Sequence, residues 1–319
     1  MSRQYKGFAL VSALLVVALV TATTVAMAVR LHQAIDSTTD EVRFEQARQH
    51  IAGVERWAAA LLKADARKGI IDSDQDNWNK GLNHVAMERG SITNKIEDMQ
   101  GRFNLNNLVI SGDDGELFIE RFGRLLRLLS IDESLMHSIA DWVDYDQNIR
   151  QPNGAEDAYY LSLSPSYRSA NRPMIDVSEL LRVRGVTESI YKRLRPFVSV
   201  LPPGTSININ TAPVEVLNSL AEGMTRSHAE AIRLKVSQTP FAYIGGAELG
   251  NGESERAGFL EDDLVTGLGI NPAGLDTRSG YFMSKSEVRL DGGYDLQASI
   301  LLKRNAAQSV QVLSRRYGE

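Results

Sequence analysis

Oxygen-bearing side chains recur at every second residue in one segment of the chain, Asp144-x-Asp146-x-Asn148. Calcium prefers about six to eight hard oxygen ligands, and this spacing in a turn directs alternate side chains toward one point. The segment is not an EF-hand, because Ile149 replaces the Gly at loop position six and Ala155 replaces the Glu at position twelve. We therefore expect a nonstandard calcium site. Its expected ligands are Asp144, Asp146, Asn148, Glu156 and Asp157.

A second acidic run, Asp72-x-Asp74-x-Asp76, has the same spacing but no Glu after it. The alternative interpretation of both runs is a pair of solvated acidic loops. Paired carboxylates are also the machinery of glycosidases, but the separation of such a pair cannot be read from sequence. The five histidines stand singly, and no phosphate-binding loop, dinucleotide fingerprint or nucleophile elbow is present. We do not expect an enzyme.

The composition is that of an ordinary globular protein, with 43% hydrophobic and 24% charged residues among 319. These values exclude collagen-like and fully disordered classes. The absence of cysteine excludes disulfides, thiolate metal sites and a cysteine nucleophile. A net charge of −5 argues against a bulk nucleic-acid binder, which is normally basic.

A run of 22 uncharged residues, 8–29, follows the basic residues Arg3 and Lys6. A helix of this length is about 33 Å long and crosses a bilayer core of about 30 Å. The preceding charges predict a cytoplasmic N-terminus, so the rest of the chain is expected outside the cytoplasm. Three interpretations remain open: a secretory signal cleaved near Ala26-Met27-Ala28, a plain membrane anchor, and a processed leader ending at Lys6-Gly7-Phe8.

The helix is predicted to continue beyond the membrane. Residues 31–43 contain neither Pro nor Gly, and the apolar residues after them recur at intervals of three and four, as on one helix face. We expect one helix from Phe8 to about Leu62, with its stripe divided between head packing and partner contact. The alternative is an anchor followed by a separate domain helix. The stripe consists of Phe44, Ala47, Ile51, Val54, Ala58 and Leu61.

The remaining patterns predict an α+β fold. Residues 63–100 are polar and indicate loops around short elements, and a helical pattern occupies 115–144. Short helices broken by Gly, Pro and Asn fill 175–265, and alternating residues from 281 onward indicate antiparallel strands after a turn at Gly292-Gly293. The predicted divisions are a leader (1–7), a transmembrane helix (8–29), the first part of a head (30–109), an inserted all-α domain (110–278) and C-terminal strands of the head (279–319).

Two segments of the inserted region, 177–194 and 209–234, have the pattern of helix-hairpin-helix units. Such units can bind DNA phosphates through backbone amides and neighbouring basic residues. A membrane-anchored DNA-uptake protein is therefore an alternative function. The acidic net charge favours small packing units with a solvated basic face, and we expect no nucleic-acid partner.

Five motifs follow the N-terminal Lys6-Gly7-Phe8 junction in a fixed order. In this order and behind this N-terminus, they resemble the K family of type II secretion proteins, which are minor pseudopilins, and the resemblance spans essentially the whole chain. The motifs are GRFNLNNL at 101–108, DWVDYD at 141–146, GAEDAYY at 154–160, IDVSELLRVRGV at 175–186 and ININTAPVEVL at 207–217.

The resemblance implies a pilin-like long helix and sheet, interrupted by a large α-domain. It also implies that a prepilin peptidase cuts after Gly7 and methylates Phe8, and that the head carries calcium. The expected location is the inner membrane and then the tip of the pseudopilus, with other minor pseudopilins as partners in the export of folded proteins. The fifth mature residue is Ser12, where most pilins have a Glu that neutralises a neighbour's N-terminal ammonium; a non-acidic residue here is also found in the K family.

Overall fold

The computed structural model describes residues 4–67, 69, 71–245, 258–305 and 309–318. Arg3 of the predicted leader therefore lies outside the described residues, whereas Gly7 lies within the first helix. In chain order the helices are α1 Gln4–Asp65, α2 Asp113–Leu128, α3 Leu135–Val143, α4 Asp157–Tyr160, α5 Glu188–Leu194, α6 Val214–Asn218 and α7 Arg226–Val236. The strands are β1 Leu82–Met87, β2 Gly90–Asp98, β3 Phe103–Asn104, β4 Val198–Ser199, β5 Ile207–Asn208, β6 Leu275–Asp276, β7 Tyr281–Leu290, β8 Tyr294–Arg304 and β9 Val310–Tyr317.

The N-terminal half of α1 is exposed and apolar. The prediction of one long helix is confirmed, because α1 runs for 62 residues without a break. Its most apolar stretch has a mean hydropathy of 2.4, and none of that stretch is buried in the protein. The Ser12 hydroxyl donates to the carbonyls of Phe8 and Ala9, at 2.9 and 3.1 Å. Its polar group is thus satisfied within the helix, as the hydrocarbon of a bilayer requires.

The C-terminal half of α1 lies on a five-stranded antiparallel sheet with the order β1-β2-β7-β8-β9. The apolar stripe predicted on this helix enters the core between helix and sheet. Burying each large aliphatic side chain there contributes about 1.5–3 kcal/mol. The fully buried members of this head core include Ala47, Ile51, Ala58, Ile96, Phe282, Ile300 and Leu302.

A second hydrophobic core lies in the helical domain inserted between β2 and β7. It is built largely by α2, α3, α6 and α7 with the segments between them, and its buried residues extend from Phe103 to Leu275. The sequence placed the start of this domain at residue 110. Phe103, Leu105 and Leu108 already belong to the second core, so the change of core comes several residues earlier than expected.

The sheet differs from the prediction at one point. The predicted C-terminal strands and their turn are present, with Gly292 and Gly293 at φ +87° and +80° between β7 and β8. Residues 63–100 were expected to be mainly loop, yet β2 is a nine-residue strand in the sheet interior, paired along its length with β7. The inward face of β2 includes buried polar Asn94 and Asp98 beside Ile96, which hid its strand pattern.

Candidate metal site and interaction surfaces

Helix α3 and the loop after it bring three buried carboxylates near one another. Asp141 lies in the last turn of α3, with no exposed surface, and Asp144 follows at the end of the helix. The loop then returns through Gly154, where a Cβ atom would stand 2.2 Å from Oδ2 of Asp141. Only glycine allows this approach, which brings Glu156 next to the two aspartates.

Glu156 is the most informative side chain of the cluster. It is only 2% exposed, and neither of its carboxylate oxygens has a hydrogen-bond partner. Burial first, and then the charges of Asp141 and Asp144, raise the pKa of Glu156 from 4.5 to about 8. A buried carboxylate without a donor or a cation is costly. The donor set, all hard oxygens, therefore fits a divalent cation such as calcium.

The structure divides the predicted ligands into a centre and a periphery. Asp146 and Asn148 are exposed, and the Asn148 N–H donates to Asp146 Oδ1 at 2.7 Å. Asp157 is partly buried, but its Oδ1 accepts the N–H of Ser169 at 2.9 Å. The structure thus brings Asp144 and Glu156 together, with Asp146 and Asp157 at the rim of the cluster, and shows no such approach for Asn148.

Sequence reasoning missed Asp141. Burial raises the pKa of this carboxyl to about 6, and one of its oxygens has no hydrogen-bond partner. Asp141 precedes Asp144 by three residues, which is nearly one helical turn and places both on the same side of α3. That spacing in the DWVDYD motif was the available signal.

The second acidic run forms a different cluster. Oxygens of Asp65, Asp72 and Asp76 all lie within 4.8 Å of one another. Arg304 supplies their counter-charge, with Nη2 2.5 Å from both oxygens of Asp72 and Nη1 3.3 Å from Asp65 Oδ2. Asp74 instead pairs with an arginine of α7, Arg233. The charge of the cluster is thus partly neutralised by the protein itself.

The predicted stripe on α1 mainly packs the head. Ala47, Ile51, Val54 and Ala58 are at most 5% exposed, so these four candidate interface residues are instead buried within the head. Leu61 is half-buried. Phe44 is 38% exposed and makes an edge contact with Tyr317 of β9, with ring centroids 6.5 Å apart. The accessible apolar residues lie further toward the membrane. They are Leu31, Ile35 and Val42, each more than half exposed.

The hairpin-like segments contribute to the second core. A 3₁₀ helix, Val177–Arg182, and α5 flank Gly185, which has a φ of +81°. Leu180 and Leu194, on the two sides of this turn, are fully buried. The Arg184 guanidinium donates to the Gly154 carbonyl at 3.1 Å and stacks on Tyr159. These contacts favour the interpretation of the segments as packing units.

A long helix that is apolar and exposed in its first half, and packed on an antiparallel sheet in its second, defines a pilin-like subunit. Two family models, both described as type II secretion system protein K, match residues 101–203 and 207–233. The chain belongs to the type II secretion system protein K family, and its role is that of a minor pseudopilin in type II secretion.

The relatives and a solved structure agree on this family. Protein K of Klebsiella pneumoniae is 32% identical over 100% of this chain and 98% of its own length. Protein K of Pectobacterium carotovorum is 31% identical over 99% and 97%, and that of Pseudomonas aeruginosa 39% identical over 70% of each chain. A chain from the GspK-GspI-GspJ complex of enterotoxigenic Escherichia coli matches with a TM-score of 0.74 and 25% identity, over 88% of this chain and 99% of that one.

Proposed function

We propose that this minor pseudopilin begins or caps the type II secretion pseudopilus from its tip. The observation that carries the proposal is the second hydrophobic core, a whole helical domain added to a pilin-like head. A subunit stacked above would have to share space with that domain. The size of the helical domain therefore prevents the pseudopilus from growing above this subunit, while the membrane-side half of α1 packs against the subunits below.

The N-terminal segment supports the same position. Ser12 carries no charge, and its hydroxyl donates to the Phe8 carbonyl of the same helix at 2.9 Å. It cannot neutralise the N-terminal ammonium of a neighbour inside lipid, where an unpaired charge is costly. A subunit without this group is suited to the end of the assembly.

Removal of the helical domain tests the steric account. Met99 N–H donates to the Tyr281 carbonyl at 3.0 Å, so the chain leaves and re-enters the head at adjacent points. A variant without residues 101–279 can rejoin Gln100 to Gly280 with a short linker. We expect it to insert in the membrane but to lose tip placement and exoprotein secretion. If cells with a normal level of this variant kept both tip placement and secretion, the proposal that the helical domain blocks growth would be refuted.

The proposed function includes processing at the Gly7-Phe8 junction. We propose that a prepilin peptidase cuts after Gly7 and methylates Phe8, with the N-terminus cytoplasmic and the head periplasmic. Mass spectrometry of the mature chain should find N-methyl-Phe8. A mature N-terminus at Val29 would instead indicate an ordinary secretory signal.

We further propose calcium as the cation of the Glu156 cluster. Asp141, Asp144 and Glu156 would hold the ion, with Asp146 from the rim. The ion would neutralise buried carboxylates and fix the loop to the end of α3. Calorimetric titration of the full chain in detergent should show calcium binding that Asp144→Ala and Asp146→Ala weaken. Asp74→Ala, in the other acidic run, is the matched control; absence of heat in the unmodified protein would exclude the site.

Other minor pseudopilins are the proposed partners of α1. One structural relative is a chain from a complex that contains GspI and GspJ, and in the present chain Leu31, Ile35 and Val42 leave an apolar face uncovered. The chain has no cysteine, so single cysteines can carry a photo-crosslinker without further changes. We expect crosslinks to other minor pseudopilins from positions 35 and 42. Position 234 on α7, where the leucine is 64% exposed, should give none.

A further inference from the structure

One arginine lies among the carboxylates of the proposed calcium site. Nε of Arg150 is 3.3 Å from Asp141 Oδ1, and Nη2 is 3.0 Å from Asp144 Oδ2. The two aspartate side chains are 0% and 7% exposed, whereas the arginine side chain is 36% exposed. Arg150 therefore reaches into the cluster from the surface and places a positive charge on two of the proposed ligands.

The arginine and a calcium ion would compete for the same two carboxylates, Asp141 and Asp144. Calcium ligands lie about 2.3–2.6 Å from the ion, so any two of them are at most about 5 Å apart. No three carboxylates among Asp141, Asp144, Asp146, Glu156 and Asp157, all in the described part of the chain, have oxygens within 4.8 Å of one another. An ion held by Asp141 and Asp144 would lie close to the guanidinium that now contacts both carboxylates, and two positive charges repel each other at such a distance.

The guanidinium only partly neutralises the cluster. It contacts Asp141 and Asp144, while both oxygens of Glu156 lack a hydrogen-bond partner. The cluster thus retains one buried acceptor group that a divalent ion can satisfy and that Arg150 does not. The exposed residues 145–149 separate Arg150 from Asp144 along the chain, so the arginine has solvent beside it into which to move.

We propose that Arg150 is a built-in counter-ion, which holds Asp141 and Asp144 in the calcium-free protein and is displaced toward solvent when calcium binds. This inference rests on the proposed calcium site. Because the ion must replace an existing ion pair, Arg150 lowers calcium affinity while it supports the calcium-free fold. Extracellular calcium modules work at about 10⁻⁴–10⁻³ M, and an affinity held in that range responds to the calcium of the surrounding compartment.

The test uses the full chain in detergent, with calcium alone as the probe. Arg150→Gln removes the charge and keeps a polar side chain. We expect this variant to bind calcium about tenfold more tightly, equivalent to about 1.4 kcal/mol. In EDTA we expect its helical domain to melt at a lower temperature than that of the unmodified protein. If Arg150 served only to fold the loop, Arg150→Gln would lower both the calcium affinity and the melting temperature in EDTA. The proposal instead expects a higher calcium affinity together with a lower melting temperature.

Two further variants serve as controls. Arg127→Gln also removes one arginine of the helical domain, but its partners are Glu133 and Glu222, so calcium affinity should stay unchanged. Arg150→Lys keeps the charge on one ammonium that cannot bridge both aspartates as a fork, and should give an intermediate affinity.

The outcomes separate this inference from the calcium site itself. If the unmodified protein and Arg150→Gln bind calcium equally tightly, the counter-ion role is overturned and the site stands. Weaker binding by Arg150→Gln would also overturn it, because the arginine would then support the bound state. If neither protein binds calcium, the proposed site fails and the inference fails with it.

Discussion

Replacement of Asn106 by alanine should destabilise the helical domain strongly and leave the head intact. Asn106 is 2% exposed and lies in the FNLNNL segment. Its Nδ2 donates to the carbonyls of Met174 and Leu201, at 3.0 and 2.9 Å, and its Oδ1 accepts the N–H of Met174 at 2.7 Å. One side chain therefore joins two distant segments of the domain through three hydrogen bonds.

The expected cost follows from these three bonds. Alanine leaves one buried N–H and two buried carbonyls without this partner, at about 1–3 kcal/mol for each unsatisfied group. Carbonyls tolerate a lost bond better than an N–H does. We therefore expect a loss of about 3–5 kcal/mol in the free energy of unfolding of the helical domain. In a domain of this size, that lowers the melting temperature by about 10 °C.

Hydrogen exchange as a function of urea, read by mass spectrometry, resolves the two cores by peptide. Peptides from α2 and α7 should show the full loss for Asn106→Ala, while peptides from β7 and β8 should keep their stability. Asn77→Ala is the matched control, because Asn77 is exposed and accepts one bond from Lys80. If Asn106→Ala lost no more than about 1 kcal/mol beyond this control, or if the head lost as much, the reasoning would be refuted.

Three other substitutions give further expectations. Ile51→Ala should cost the head about 2–4 kcal/mol by opening a cavity, measured by the same exchange experiment, with no change in the helical domain. Gly154→Ala should abolish calcium heat in calorimetry, because the new Cβ would meet Asp141 Oδ2 at 2.2 Å and the Arg150 carbonyl at 2.3 Å. Burial raises the pKa of Asp98 from 3.8 to about 6, so its contribution to stability is present below about pH 3.8 and lost as pH rises through about 6. In EDTA, Asp98→Asn should reduce the slope of melting temperature against pH between about pH 3.8 and 6. An unchanged slope would contradict the assignment of this pH dependence to Asp98.

The long helix and the C-terminal strands could be predicted because their patterns are regular. The apolar residues on α1 recur at intervals of three and four, with neither Gly nor Pro between residues 8 and 52, and on β8 buried residues alternate with half-buried or exposed ones. Strand β2 could not be predicted in this way. Asn94 faces inward and donates to the hydroxyls of Ser284 and Ser286, so its inner face is polar where the pattern requires apolar residues.

The candidate metal site could be predicted only in part, because sequence spacing identifies ligands that lie close together along the chain. A spacing of two residues identified Asp144 and Asp146, but it describes ligands within a loop and misses Asp141 on the preceding helix. The position of Glu156 depends on the close approach of Gly154 to Asp141, which brings the loop back to α3. Sequence spacing does not encode that return, and it therefore also gave Asn148 and Asp157 the same weight as the central residues.

The adjacent exit and re-entry points of the helical domain have a consequence for the pairing of the strands in the head. The N–H of Gly280 donates to Oε1 of Gln100 at 2.6 Å, so the two ends of the domain meet at the end of the paired strands β2 and β7. The pairing of β2 with β7 therefore does not depend on the length of chain that lies between them. A change in the size of the helical domain leaves the strand register of the head unchanged.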